Sequence, residues 1–344
     1  MAGAWIQAAL EQAPNGENGT SPVSSNVFFL RADNIKVDPG WEPLEEAGKT
    51  IGVMGKAPHL GTKDYKPAVE IKGLSCRPSD LMLMLGAFGG TIVSTPGAAL
   101  VTDPDSDPVP AGCTKHVAGW AATEPKTLQL LAKDAGDKYW QVNGAAVTQI
   151  AFSFANGFFL LDVTMLPLYA AEIADPTITP SFDTSTAFRR GDMTLDWLAD
   201  SARTKDFDLK VSAGVEAEQA FESVSDYPSA IMFKNDESGD PALEGTITKR
   251  SMVDADWNSM VNGDQFAATV KLTHREEIGS TGRNAAAWIE MPGCQYVKNS
   301  PDDIANVRRR ETKIDYEARV DLATASLATI TVVNATPTYE TYGS

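Results

Sequence analysis

Histidine and cysteine are scarce in this sequence, with three of each in 344 residues: His59, His116 and His274, and Cys76, Cys113 and Cys294. The histidines are far apart and form no His-Glu-x-x-His pair, and the cysteines lack metal-ligand spacing, so neither a zinc motif nor a disulfide framework is written here. There is no Gly-x-Ser-x-Gly elbow and no complete phosphate loop. Gly279-Ser280-Thr281-Gly282-Arg283 lacks the lysine and reads as a loop tip. The paired carboxylates Glu45-Glu46 and Asp302-Asp303 sit in polar stretches where solvent keeps them ionised, which leaves no tuned general acid. The expectation is no enzyme, no cofactor and no metal.

Long apolar runs are also missing. None approaches the roughly 20 residues that cross a bilayer, and the first residues lack the basic and apolar blocks of a secretory signal, so the expected setting is a reducing cytoplasm without membrane insertion. Basic charge is short as well, with 29 Lys and Arg against 46 Asp and Glu and a formal charge of −17. Residues 1–172 hold 18 acids and 12 bases, and the remainder 28 and 17, so both halves are acidic. Stable nucleic-acid binding needs clustered Lys and Arg, and this balance argues against it. The acidic balance suits either simple solubility or a surface that faces nucleic acid without holding it. Arg308-Arg309-Arg310 is the one basic cluster, readable as a solvated turn or as an ion-pairing patch for a neighbouring subunit.

What is present is a β-rich globular chain: 43% apolar, 22% charged, with 27 glycines and 20 prolines to make turns. Its length suits two domains with two cores. The phrases Trp140-Gln-Val-Asn-Gly144 and Trp288-Ile-Glu-Met-Pro-Gly293 resemble one β unit written twice. Alternation predicts strands at 68–74 and 207–211, and at 266–272. Asn156-Gly157 joins two alternating runs as a hairpin, and Asp134-Ala-Gly136-Asp137 makes another in which Gly136 supplies a positive φ. The strongest alternation is 313–322, with Ile314, Tyr316, Ala318, Val320 and Leu322 facing one way and Lys313, Asp315, Glu317, Arg319 and Asp321 the other; a closing strand follows at 327–333.

Pro78-Ser79-Asp80 followed by Leu81-Met-Leu-Met-Leu85 predicts a short capped helix, and 253–261 a second, with Asp254 and Asp256 as caps. The proline-rich stretch 102–110 predicts an exposed loop. Its Asp103, Asp105 and Asp107 have the spacing that opens a calcium loop, but Pro108 and Thr114 stand where Gly and Glu are required.

The order of these features resembles the tail tube proteins of long-tailed, non-contractile bacteriophages: a meandering N-terminus, a Gly61-x-x-x-Tyr65 turn, a strand at 69–74, the Leu81–Gly86 helix segment, a long loop, then the Trp140 phrase and its alternating strands. The resemblance implies a mainly β fold with short flanking helices, in which two tail-tube-like β-sandwich domains contribute to a ring-shaped inner β-barrel. The implied organisation is an N-terminal arm at 1–26, a first tube domain at 27–172, a linker at 173–190 and a second at 191–344. Three such chains would fill six ring positions, and stacked rings would form the hollow tube through which DNA is ejected. Implied partners are other copies of the chain, tape measure, tail terminator and distal tail proteins, and double-stranded DNA in transient passage; the implied location is the virion tail, after assembly in the host cytoplasm. Lys313, Asp315, Glu317, Arg319 and Asp321 become candidates for the lumen, and Arg308, Arg309, Arg310, Asp103, Asp105 and Asp107 for subunit contacts. A virion decoration or adhesin β-sandwich, or a carbohydrate-binding module, is the alternative.

Overall fold

The computed structural model describes residues 4–10, 27–31, 34–45, 59–88, 91–120, 125–198, 204–218, 230–233, 242–250, 254–301, 311–321 and 326–336. Side chains are described for most of these. Among the described residues the fold is mainly β, with two short α-helices, and every strand pairing is antiparallel.

The first half runs β1 (Trp5–Leu10), β2 (Phe28–Leu30), β3 (Asn34–Asp38), β4 (Trp41–Glu45), β5 (His59–Tyr65), β6 (Ala68–Ser75), α1 (Leu81–Phe88), β7 (Val93–Pro96), β8 (Thr114–Gly119), β9 (Thr127–Lys133), β10 (Tyr139–Ala155), β11 (Phe158–Leu166) and β12 (Tyr169–Ile173). The second runs β13 (Met193–Asp196), β14 (Thr204–Ser212), β15 (Val215–Glu218), β16 (Ala230–Phe233), β17 (Ala242–Lys249), α2 (Asp254–Asn262), β18 (Phe266–Glu277), β19 (Asn284–Pro301), β20 (Thr312–Ala318) and β21 (Thr329–Asn334).

The two longest strands organise the sheet. β10 pairs with β9 and β12 along its first part, then with β11 and β14 along its second. β19 does the same with β18 and β21, then β20. Each strand changes partners across two irregularities, at 143–144 and 148 in β10 and at 292–293 and 297 in β19. A bulge adds a residue and turns the strand, which lets one segment serve two sheet regions.

The same scheme extends outward. β3–β6–β11 flank β10 as β14–β17–β20 flank β19, and a separate hairpin, β4–β5 or β15–β16, rises between the first two strands of each set. A helix follows β6 and β17 alike, and α1 packs on β10 as α2 packs on β19. The halves join where β14 pairs with β10 in the register Gln149↔Ser212 to Phe152↔Leu209. The result is a strip of eight strands in the order β3–β6–β11–β10–β14–β17–β20–β19. The pairings branch but never return on themselves, so among the described residues no barrel closes.

Burial follows the strand alternation. Val69, Ile71, Ile150, Phe207, Ile247, Ile314 and Tyr316 enter one apolar cluster that runs through both halves and also holds α1 and Ile330 of β21. The expectation of two separate cores is therefore corrected, because β14 completes the first half's sheet while β8 pairs with β21 of the second. α1 is buried along its whole length, from Leu81 to Phe88. The Arg77 N–H donates to Asp80 Oδ2 at 2.9 Å just before it, fixing the turn that launches the helix.

Several expectations need correction. The arm at 1–26 includes β1, a buried strand between β2 and β9; residues 11–26 lie outside the described ones. The turn expected at Gly61 to Tyr65 is part of strand β5. In the 134–137 turn it is Asp137, not Gly136, that has the positive φ, 60°. β20 stops at Ala318, so Val320 is exposed and Arg319 and Asp321 lie past the strand. Asn156 and Gly157 do adopt the paired positive φ, 51° and 83°, of a tight hairpin. The linker expected at 173–190 is largely irregular and ends in a bridge from Phe158 to Arg189.

Candidate functional site: a polar sheet face with two open edges

The strip hides one face in the core and turns the other to solvent. Register places side chains of the outward face in rows: Lys36, Glu70, Thr164, Gln149 and Ser212 in one, and Ala151, Lys210, Glu244, Glu317 and Gln295 in the next. A third row joins Asp208, Thr246 and Asp315. Asp38, Glu70, Asp162, Asp208, Glu244, Asp315 and Glu317 outnumber Lys36, Lys72, Lys210 and Lys313 on this face. Lys210 meets Glu244 at 3.0 Å, and Lys72 meets Glu70 at 3.4 Å. Among the described side chains the surplus acids leave the face net negative, with no cluster of cations to grip a phosphate backbone.

Of the lumen candidates, Lys313, Asp315 and Glu317 lie on the outward side of β20 as the alternation predicts. Glu317 forms an ion pair with Arg319, and Asp321 is bridged to Ser326 beyond the strand. Both termini of the strip are open among the described residues: β3 pairs only with β6, and 295–301 of β19 pair only with β20. Pro39 follows β3 and Pro301 ends β19, and edge prolines discourage indiscriminate pairing.

The aspartate loop has a different employment from the one expected. Asp103 is buried against the Arg283 guanidinium, which also reaches Asp107 at 3.3 Å. Asp105 takes a bond from Lys271 and another from the Trp288 indole N–H at 3.1 Å; these hold its carboxyl below the usual range against the opposing effect of partial burial. The three carboxylates converge within 4.8 Å. Their charges are thus met by cations of the second half, pinning the loop within the chain. Arg308, Arg309 and Arg310 lie outside the described residues.

Several polar groups are buried in both halves. Lys249 Nζ lies 2.6 Å from Asp256 Oδ1, both about 1% exposed; Tyr296 donates to the same oxygen at 2.8 Å, and Trp197 Nε1 donates to Tyr296 at 3.0 Å. Asp256, expected as a helix cap, is thus an interior ion-pair partner. In the first half, burial drives Asp80 up to about 7, although the Arg77 bond opposes the shift. His116 is buried with Ser94 at 2.8 Å and the Thr336 carbonyl at 3.0 Å, and burial pushes it down to about 4. His274 contacts the Thr186 carbonyl at 2.8 Å. The side chain of His59 is outside the described set. The free thiols are buried too, which raises Cys76 well above its ordinary value and Cys294 to about 12.

A surface hollow of about 330 Å³ is lined by Asp183, Ser185, His274, Glu276, Glu277 and Asn334 among others. At its wall the Ser185 hydroxyl donates to Asp183 Oδ1, and His274 Nε2 lies 3.4 Å from the Thr186 hydroxyl. Gly48-Lys49-Thr50 is a tripeptide fragment of a phosphate loop, but Pro43 stands where its first glycine belongs, and residues 46–58 are outside the described ones. Sequence reasoning missed the β10–β14 joint and the open edges, since nothing local to a strand names its partner.

No protein-family model matches the chain, and a search of curated proteins finds no relative.

Proposed function

We propose that the chain is a structural subunit of a bacteriophage tail tube. In this reading three chains close a ring with six repeat positions, the eight-strand strips join edge to edge into an inner barrel, and rings stack into a hollow cylinder. The observation that carries it is the duplicated strand set forming one strip that, among the described residues, has a net acidic outward face and an open edge at each end. An open edge is an association hazard unless a partner completes it, and a strip open at both ends can be completed by copies of itself in a closed ring.

The charge on the outward face supports the same reading. A lumen lined by surplus carboxylates repels a passing phosphate backbone, with screening confining the effect to about 8 Å at physiological salt. Asp208, Glu244 and Asp315 stand on that face and act at that range. The chain then has no chemistry to perform: its work is symmetry, stiffness and a bore that DNA does not adhere to. Negative-stain microscopy of the purified protein, alone and with a tail-tip initiator complex, tests this. Hollow cylinders are expected; a monomer that persists under both conditions contradicts the reading.

A further inference from the structure

The two halves of the chain already contain one finished joint, between β10 and β14, and it serves as a template for the unfinished one. Resting on the tube reading, we infer that the 298–301 edge of β19 receives β3 of a second copy, in the register by which β10 receives β14. The β4–β5 hairpin of that copy then covers Gln295, Glu317 and Arg319.

Equivalence between halves is fixed by hydrogen bonding and register. Leu168 N–H donates to the Gly144 carbonyl at 3.2 Å, and Arg319 N–H to the Gly293 carbonyl at 2.7 Å. The bulge at 148 in β10 matches that at 297 in β19, so Ala151 corresponds to Ser300. Val69↔Met165 matches Gly245↔Tyr316, and through β6 and β17 this places Asp38 where Lys210 stands. Since Ala151 faces Lys210 inside the chain, Ser300 faces Asp38 of the next copy. A register slip of one residue would turn every side chain to the wrong face, so only even slips compete, and the internal joint selects among them.

The hairpin follows from the same correspondence. β15–β16 seats Val215 and Ile231 on Ala146 and Leu168, which form a small buried apolar cluster with Ala213. At the matching places the second half carries Gln295 and Arg319, neither of them buried. The seat between chains is thus polar where the seat within the chain is apolar, which suits a contact that must stay soluble before assembly. Glu317 and Arg319 belong to this seat, which leaves Lys313 and Asp315 as the β20 residues that face the bore.

Opposed residues of an antiparallel pair lie close enough for a disulfide or a short bifunctional reagent. Asp38→Cys with Ser300→Cys, oxidised after assembly, is expected to give a covalently closed set of three chains, while each single variant and the displaced pair Lys36→Cys with Ser300→Cys give little. Hydrogen exchange on the unmodified protein is a second readout: amides within 37–40 and within 298–300 should both gain protection on ring formation. Rings that form with no linkage of this pair and no added protection at either edge overturn the register while leaving the tube reading intact. Unmodified protein that never forms rings overturns the tube reading itself, and this inference with it.

Discussion

Leu168 and Arg319 occupy matching places in the two halves, each donating its backbone N–H to a bulge glycine, yet Leu168 is buried and Arg319 is exposed. The difference is the hairpin: β15–β16 covers Leu168, and no described part of the chain covers Arg319.

Leu168→Arg should therefore weaken the joint between the halves. A charge placed under Val215 and Ile231 without a partner is expected to cost about 3 kcal/mol in urea unfolding. Arg319→Leu removes only a surface ion pair with Glu317, and a change within about 1 kcal/mol is expected for the free subunit.

Gly245 is required by its neighbours. A Cβ at this position would stand 2.2 Å from the Asp208 carbonyl oxygen and 2.7 Å from the Tyr316 hydroxyl, in the middle of the strip. Gly245→Ala is expected to destabilise by about 2 to 4 kcal/mol, since strand backbone must move. Tyr316→Phe removes the 2.8 Å hydroxyl bond to the Asp208 carbonyl and should cost about 1 kcal/mol in the same assay.

These residues also show what a sequence can and cannot declare. The Asn156-Gly157 hairpin and the leucine-methionine helix are local patterns and stand where the sequence puts them, while the alternation read over 313–322 holds as a strand only as far as Ala318. β1 is buried throughout, so Trp5–Leu10 lacks the alternation that announces a strand. The Trp140 and Trp288 phrases mark the two long strands but are one residue out of step. Trp140 joins the main core, whereas Trp288 lies with Val109 and Cys113, and the strand register matches Trp140 to Ile289. Lys313, Asp315 and Glu317 of the candidate face were legible from period two. The partners of the aspartate loop were not, because Asp103 finds Arg283 only through the fold.

Stability should depend on pH through two opposed groups. Asp80 is raised from 3.8 to about 7, so between those values the folded state holds a proton that the unfolded state releases, and stability falls as pH rises. His116 is lowered from 6.5 to about 4, so between pH 4 and 6.5 the unfolded state holds the extra proton and stability rises with pH. The two slopes offset each other in the shared window. Asp80→Asn should expose the rising slope and His116→Gln the falling one, as read by urea midpoints from pH 4 to 7. Unchanged profiles in both variants would contradict the assignment.

The Lys249–Asp256 pair should be costly to break and cheap to replace. Asp256→Ala leaves a buried ammonium beside Tyr296, and a loss of about 3 to 5 kcal/mol is expected. The double variant Lys249→Met with Asp256→Leu should recover most of that loss, since apolar residues remove both desolvation penalties. A double-mutant cycle measures the coupling.

The rotational symmetry of the assembled ring bears most directly on the proposal that one chain supplies two tube positions. Cryo-electron microscopy of assembled cylinders, averaged without imposed symmetry, is expected to show threefold rings with a pseudo-sixfold inner wall, each chain contributing one eight-strand strip. Rings of six whole chains, or cylinders whose inner wall is not built from these strips, would contradict it.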